Sequence, residues 1–69
     1  MKISARNVLT GKIVKIVKGP VTTEVTLEIA DGVQIVSTIT STSAESMNLV
    51  EGGKAHGVIK ASSVMIATD

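Results

Sequence analysis

Apolar and polar residues alternate with a period of two over residues 21–29. Val21, Thr23, Val25, Leu27 and Ile29 fall on one face, and Thr22, Glu24, Thr26 and Glu28 on the other. That period marks a half-buried β-strand. Asp31-Gly32 follows, a dipeptide suited to a tight hairpin. A second alternating run covers residues 33–40, with Val33, Ile35, Ser37 and Ile39 on one side and Gln34, Val36, Thr38 and Thr40 on the other. Before this pair, residues 9–17 are β-branched and interrupted by lysines, but Ile13-Val14 and Ile16-Val17 come as apolar pairs. Pairs of this kind predict a strand partly covered on both faces, or one that bends, with Gly11 as the candidate bend. Gly19-Pro20 should end it, because proline has no N–H to give to a ladder.

The period changes over residues 41–49. Thr42 with Glu45 fits a capping box, Ala44 and Met47 sit at helical spacing, and Gly52-Gly53 lies beyond. A helix of about two turns is expected. Residues 54–60 predict a fourth strand, with Ala55, Gly57 and Ile59 on one face and His56, Val58 and Lys60 on the other; residues 63–67 predict a fifth. Three strands, a helix and two strands make an all-β domain with one short helix, in the order of the five-stranded Greek-key barrel called the OB-fold. One domain over residues 1–69 is expected, without repeat or linker. Val36 and Val58 stand where polar residues would face water, which points to outer surface covered by other subunits.

Composition sharpens this picture mainly by exclusion. A chain of 69 residues has little core, and small domains compensate with disulfides, metals or oligomerisation. There is no cysteine and only one histidine, while 43% of the residues are apolar. Self-association is the route left open. The chain has no Phe, Tyr or Trp and a net charge of +1. Single-stranded nucleic acid is usually gripped by aromatic stacking and a basic surface, so a nucleic-acid-binding OB module is disfavoured. No run is long enough to span a membrane and the N-terminus lacks a signal-peptide segment, so a cytoplasmic protein is expected.

Catalytic chemistry finds little support. No nucleophile elbow, zinc-binding helix motif, P-loop or dinucleotide fingerprint occurs. His56, alone on a strand, reads as a structural residue. Anion chemistry finds more. Three segments are rich in hydrogen-bond donors and free of carboxylates: Ser4 to Asn7, Thr40 to Ser43, and Lys60 to Ser63. A tetrahedral oxyanion needs several converging donors and a cation or two. Hydroxyls, backbone N–H groups, Arg6 and Lys60 supply that set. Taken alone, Lys60 would read as a charge that guards a sheet edge against aggregation. The two companion segments favour the anion reading.

The motifs Ser4-Ala5-Arg6-Asn7, Leu9-Thr10-Gly11, Lys18-Gly19-Pro20-Val21, Ile39-Thr40-Ser41-Thr42-Ser43 and Ile59-Lys60-Ala61-Ser62 resemble the Mop family, the molbindins, in order and spacing along essentially the whole chain. The resemblance implies an OB-like barrel that assembles as a homohexamer, a trimer of dimers. It implies non-covalent binding of molybdate, with tungstate as analogue, between subunits, in the service of storage and homeostasis. It implies no enzyme activity, no direct protein–metal ligand, no nucleotide, and neither nucleic acid nor membrane as partner. By motif the ligand-contacting residues are Ser4, Arg6, Thr40, Ser43, Lys60, Ala61 and Ser62, with Ala61 acting through its backbone N–H. A molybdenum–pterin cofactor is the alternative ligand, although no aromatic side chain is present to hold a pterin.

Overall fold

A computed structural model describes all residues from Met1 to Asp69. Its elements are β1 (Asn7–Lys18), β2 (Thr22–Ala30), β3 (Val33–Thr40), α1 (Ser41–Ser46) and β4 (Lys54–Ile59), followed by a single 3₁₀ turn at Ala61–Ser63. The strands form one antiparallel sheet in the order β3-β2-β1-β4. The long β1 serves two neighbours. Its first half pairs with β4, from Asn7 opposite Ile59 to Lys12 opposite Lys54, and its second half with β2, from Lys12 opposite Glu28 to Lys18 opposite Thr23.

The apolar pairs in β1 are explained by a bulge. The register with β2 shifts between Ile13 and Lys15, which leaves Val14 as the extra residue. In a regular strand, residues three apart point to opposite faces. One inserted residue brings Ile13 and Ile16 to the same face. Ile13 is accordingly buried and Ile16 packs against the core, while Val14 and Val17 face outward. The bend thus falls at Val14 rather than at Gly11. Gly11 instead permits a close approach. A Cβ there would lie 2.5 Å from the carbonyl oxygen of Glu28, so only glycine lets β1 come this near to β2.

Ile13, Val25 and Leu27 form the buried centre, packed by Ile16, Ile29, Ile35, Ile39, Leu49 and Ala55. Ile35 of β3 reaches across to Gly57 of β4, where an added Cβ would stand 2.5 Å from its Cδ1. The outer strands of the sheet therefore curl toward each other over a shared interior. At the end of β3 the chain enters α1 directly. Its cap is Thr40, whose Oγ1 accepts from the Ser43 N–H at 3.1 Å, in place of the expected Thr42–Glu45 box. Asn48, with φ of 53°, turns the chain out of the helix, and Leu49 returns to the core.

The predicted fifth strand is absent. After the 3₁₀ turn, Val64 has extended backbone angles, but residues 64–69 join no ladder. Val64, Met65 and Ile66 are 47%, 92% and 87% exposed. Extended backbone is a local preference, whereas a strand requires a partner, and this segment finds none within the chain. The architecture is a curled four-stranded sheet with one short helix. No helix is long and apolar enough to cross a membrane.

Candidate oxyanion-binding site

The N-terminal arm and the end of β4 meet at one end of the sheet. Antiparallel pairing sets Asn7 opposite Ile59, which brings Ser4, Ala5 and Arg6 beside Lys60, Ala61 and Ser62. The Asn7 side-chain amide donates to the Ile59 carbonyl at 3.2 Å and ties the two segments where they emerge from the ladder. Ile3 and Val58 add apolar wall, and the whole lines an open groove of about 550 Å³. That volume is far more than one tetrahedral oxyanion occupies, so the groove of a single chain is only part of an enclosure.

The 3₁₀ turn arranges the donors. The Ser63 N–H donates to the Lys60 carbonyl at 2.8 Å and the Val64 N–H to the Ala61 carbonyl at 3.2 Å. A turn closed this way leaves its first N–H groups without an internal acceptor. Those groups belong to Ala61 and Ser62, between the Lys60 ammonium and the Ser62 hydroxyl. Lys60 is the residue that enters the turn, not a mid-strand edge lysine. The groove has no carboxylate in its lining. Glu51, a carboxylate near in sequence, instead accepts from the Ile16 N–H at 3.1 Å. A cationic, donor-rich and acid-free surface attracts an anion through charge-assisted hydrogen bonds.

Thr40 and Ser43 lie elsewhere. Thr40 pairs with Thr22, at the end of β2 that runs beside Lys18, whereas the groove adjoins Asn7 at the other end of β1. The two ends are separated by on the order of 30 Å of strand, before curvature shortens the direct path. Around Thr40 the hydroxyls are arranged in detail. Its Oγ1 donates to Ser43 Oγ at 2.8 Å. Ser46 Oγ donates to the Ser43 carbonyl at 3.1 Å. The neighbouring Ser41 is committed internally, donating to the Gly19 carbonyl at 2.7 Å and sharing a 2.8 Å bond with the buried Thr23 hydroxyl. Of the seven residues singled out by sequence, five therefore share one groove and two stand at the opposite end of the sheet.

His56 does not line the groove. Its Nδ1 shares a 2.9 Å hydrogen bond with Thr10 Oγ1 across β1 and β4, on an exposed face. What the sequence alone did not reveal is the link from Asn7 to Ile59 and the apolar wall of Ile3 and Val58. The available signal was an amide placed next to Arg6 at the start of a strand.

Comparison with known proteins places the chain in a family. The TOBE-domain family model matches residues 3–66. Molybdenum-pterin-binding protein 1 of Clostridium pasteurianum is 50% identical over 66 residues, which cover 96% of this chain and 97% of that one. A probable molybdenum-pterin-binding protein of Haemophilus influenzae is 42% identical along the full length of both chains. Among solved structures, MopII from Clostridium pasteurianum superimposes with a TM-score of 0.91 at 48% identity, over 97% of this chain and all of that one. A molybdate-binding protein from Sporomusa ovata gives a TM-score of 0.91 at 34% identity, over 99% of this chain and all of its own. The two sequence relatives are named for binding, as is the Sporomusa structure. With relatives this similar along their whole length, and the family model spanning nearly all of the sequence, the chain belongs to the TOBE-domain family, among its small molybdenum-pterin-binding, or Mop, proteins.

Proposed function

We propose that this chain binds molybdate and stores it, with tungstate accepted as an analogue, in non-covalent sites completed between subunits of a cytoplasmic homohexamer built as a trimer of dimers. The observation that carries this reading is the groove itself. Ser4, Arg6, Lys60, Ala61 and Ser62 converge there from two segments far apart in sequence, with no acidic group among them. Molybdate is a tetrahedral dianion at neutral pH, and hydroxyls, N–H groups, a guanidinium and an ammonium are the donors it requires. The names of the relatives supply the element.

The remaining donors, Thr40 and Ser43, stand too far from the groove to join it within one chain. In an assembly the same two residues of a neighbouring copy supply the missing side. The bare Val64, Met65 and Ile66 give such an assembly apolar surface to cover, and a fifth strand would form there by pairing with another chain. No reaction is needed: the protein takes up the ion, holds it and releases it.

Calorimetric titration of the assembled protein with molybdate, tungstate, sulfate and phosphate tests the reading. Heat is expected with molybdate and tungstate; its absence with both would overturn the proposal. Arg6→Ala and Lys60→Ala should each weaken molybdate binding roughly 10- to 100-fold, the worth of a hydrogen bond to a charged group, while the assembly persists. Stoichiometric co-purification of a fluorescent pterin would instead favour the cofactor as cargo.

A further inference from the structure

Asn7 is not among the ligand-contacting residues and its side chain does not line the groove, but it ties the two segments that do. Its position is nevertheless singular. It is the first paired residue of β1, opposite Ile59, the last paired residue of β4. Arg6 precedes it and Lys60 follows its partner. Its amide donates to the Ile59 carbonyl at 3.2 Å, in a partly buried setting and across 52 residues of sequence. No other side-chain hydrogen bond joins the two segments that line the groove.

We propose that Asn7 is a positioning residue for the anion groove: by clamping the Ile59 carbonyl, its side-chain amide fixes the Lys60-Ala61-Ser62 turn relative to Ser4 and Arg6. This inference rests on the oxyanion reading of the groove. A ladder frays at its last pair, because beyond it nothing holds the strands in register. Here the last pair is where the donors must be held still. Five of them come from segments that leave the sheet at this point, and each is exposed. Donors on two loose segments must be ordered when an anion binds, and that ordering weakens affinity. A side-chain bond at the mouth of the ladder does part of the ordering beforehand. Asparagine suits this position in a way that its neighbours in chemistry do not. Aspartate would present a carboxylate to a carbonyl oxygen and would add negative charge beside an anion, while serine has a shorter reach.

The test uses the assembled protein with Asn7→Leu, which keeps the side-chain size and removes the donor, and Asn7→Ala as the second variant should leucine disturb packing. Amide hydrogen exchange of residues 60–64 is measured on the ligand-free protein, together with thermal unfolding and molybdate calorimetry. Exchange in residues 60–64 should accelerate and molybdate affinity should fall about tenfold, the lower end of what losing a supporting contact does at a binding site. The ligand-free Tm should drop by no more than about 8 °C, the shift expected from one hydrogen bond in a domain of this size. A lower Tm with unchanged affinity and unchanged exchange at residues 60–64 would mean that Asn7 is merely structural, and the proposal would fail. If the wild-type protein gives no heat with molybdate, the oxyanion reading itself is lost; the exchange measurement still decides, separately, whether Asn7 holds the turn.

Discussion

The separation of donors between two ends of the sheet can be tested in mixed assemblies. One variant carries Arg6→Ala and Lys60→Ala and so lacks the groove end. The other carries Thr40→Val and Ser43→Ala and lacks the helix end. Each hydrogen bond to a charged group is worth about 1.5–3 kcal/mol, so either double substitution alone should abolish most binding at micromolar ligand. The second variant also loses the Thr40 cap, which costs about 1 kcal/mol and leaves the fold in place. When the two are co-expressed and mix at random, half of the chains have an intact groove end and the other half an intact helix end. A site that draws one end from each of two copies is then whole in roughly a quarter of cases. Equilibrium dialysis against molybdate, with the metal counted by elemental mass spectrometry and the mixing confirmed by native mass spectrometry, should recover about that share of wild-type capacity. A verified mixed assembly that binds nothing would refute the composite site. Wild-type binding by the Thr40/Ser43 variant alone would also refute it, because the groove end would then hold the ion unaided.

Other parts of the molecule make shorter predictions. Gly11→Ala drives a methyl group against the Glu28 carbonyl, and overpacking of that kind costs about 1–3 kcal/mol, so thermal unfolding followed by circular dichroism should show a Tm lower by roughly 5–20 °C. Met65→Asp with Ile66→Asp places charge on residues that a single chain leaves bare; sedimentation should show smaller species with unchanged strand content, and an unchanged assembly would place the tail outside any interface. Molybdate affinity should fall as sodium chloride is raised, and the variant lacking Arg6 and Lys60 should lose most of that dependence, as a calorimetric salt series would show.

What could be read from the sequence follows from how local each feature is. β2 and β3 were legible because alternation and the Asp31-Gly32 turn are both local, and Gly32 does adopt the left-handed conformation, with φ of 73°. The apolar pairs of β1 announced an irregularity without locating it, since a bulge is defined by the register of two strands and the pattern of one does not contain it. The helix start falls within four hydroxyl residues in a row, Thr40 to Ser43, and the capping-box pattern pointed to Thr42. Tertiary pairing chose Thr40, because the β2–β3 ladder runs as far as Thr22 opposite Thr40 and the Ser41 N–H then donates to the Val21 carbonyl. The chemistry of Lys60, Ala61 and Ser62 was visible as a run of donors. Which donors share a groove was not, because that depends on strand register: the same register that brings Arg6 to Lys60 carries Thr40 and Ser43 away. The fifth strand failed for a related reason, since a run of apolar residues does not say whether the chain holds a partner for it.

The bare tail and the divided site are two aspects of one economy of size. Only six of 69 residues are buried in the single chain, and Val21, Met47, Val50, Met65 and Ile66 are each more than half exposed. A domain of this length has a total stability of roughly 3–10 kcal/mol at best, and this one places few side chains in its interior. In the proposed assembly, contacts between copies supply the burial that the chain lacks, and they also bring the two ends of the site together. Ligand and assembly then act on one equilibrium. A ligand at a hundred times its dissociation constant stabilises the bound form by about 2.7 kcal/mol per site, a large share of what the domain has on its own. The coupling is reciprocal: an anion that tightens the interface is itself held more tightly once the interface has formed. The proposed storage role gains from this directly. When the anion is plentiful the filled assembly is the stable form, and as the anion becomes scarce, emptying of the sites loosens the contacts that retained the rest.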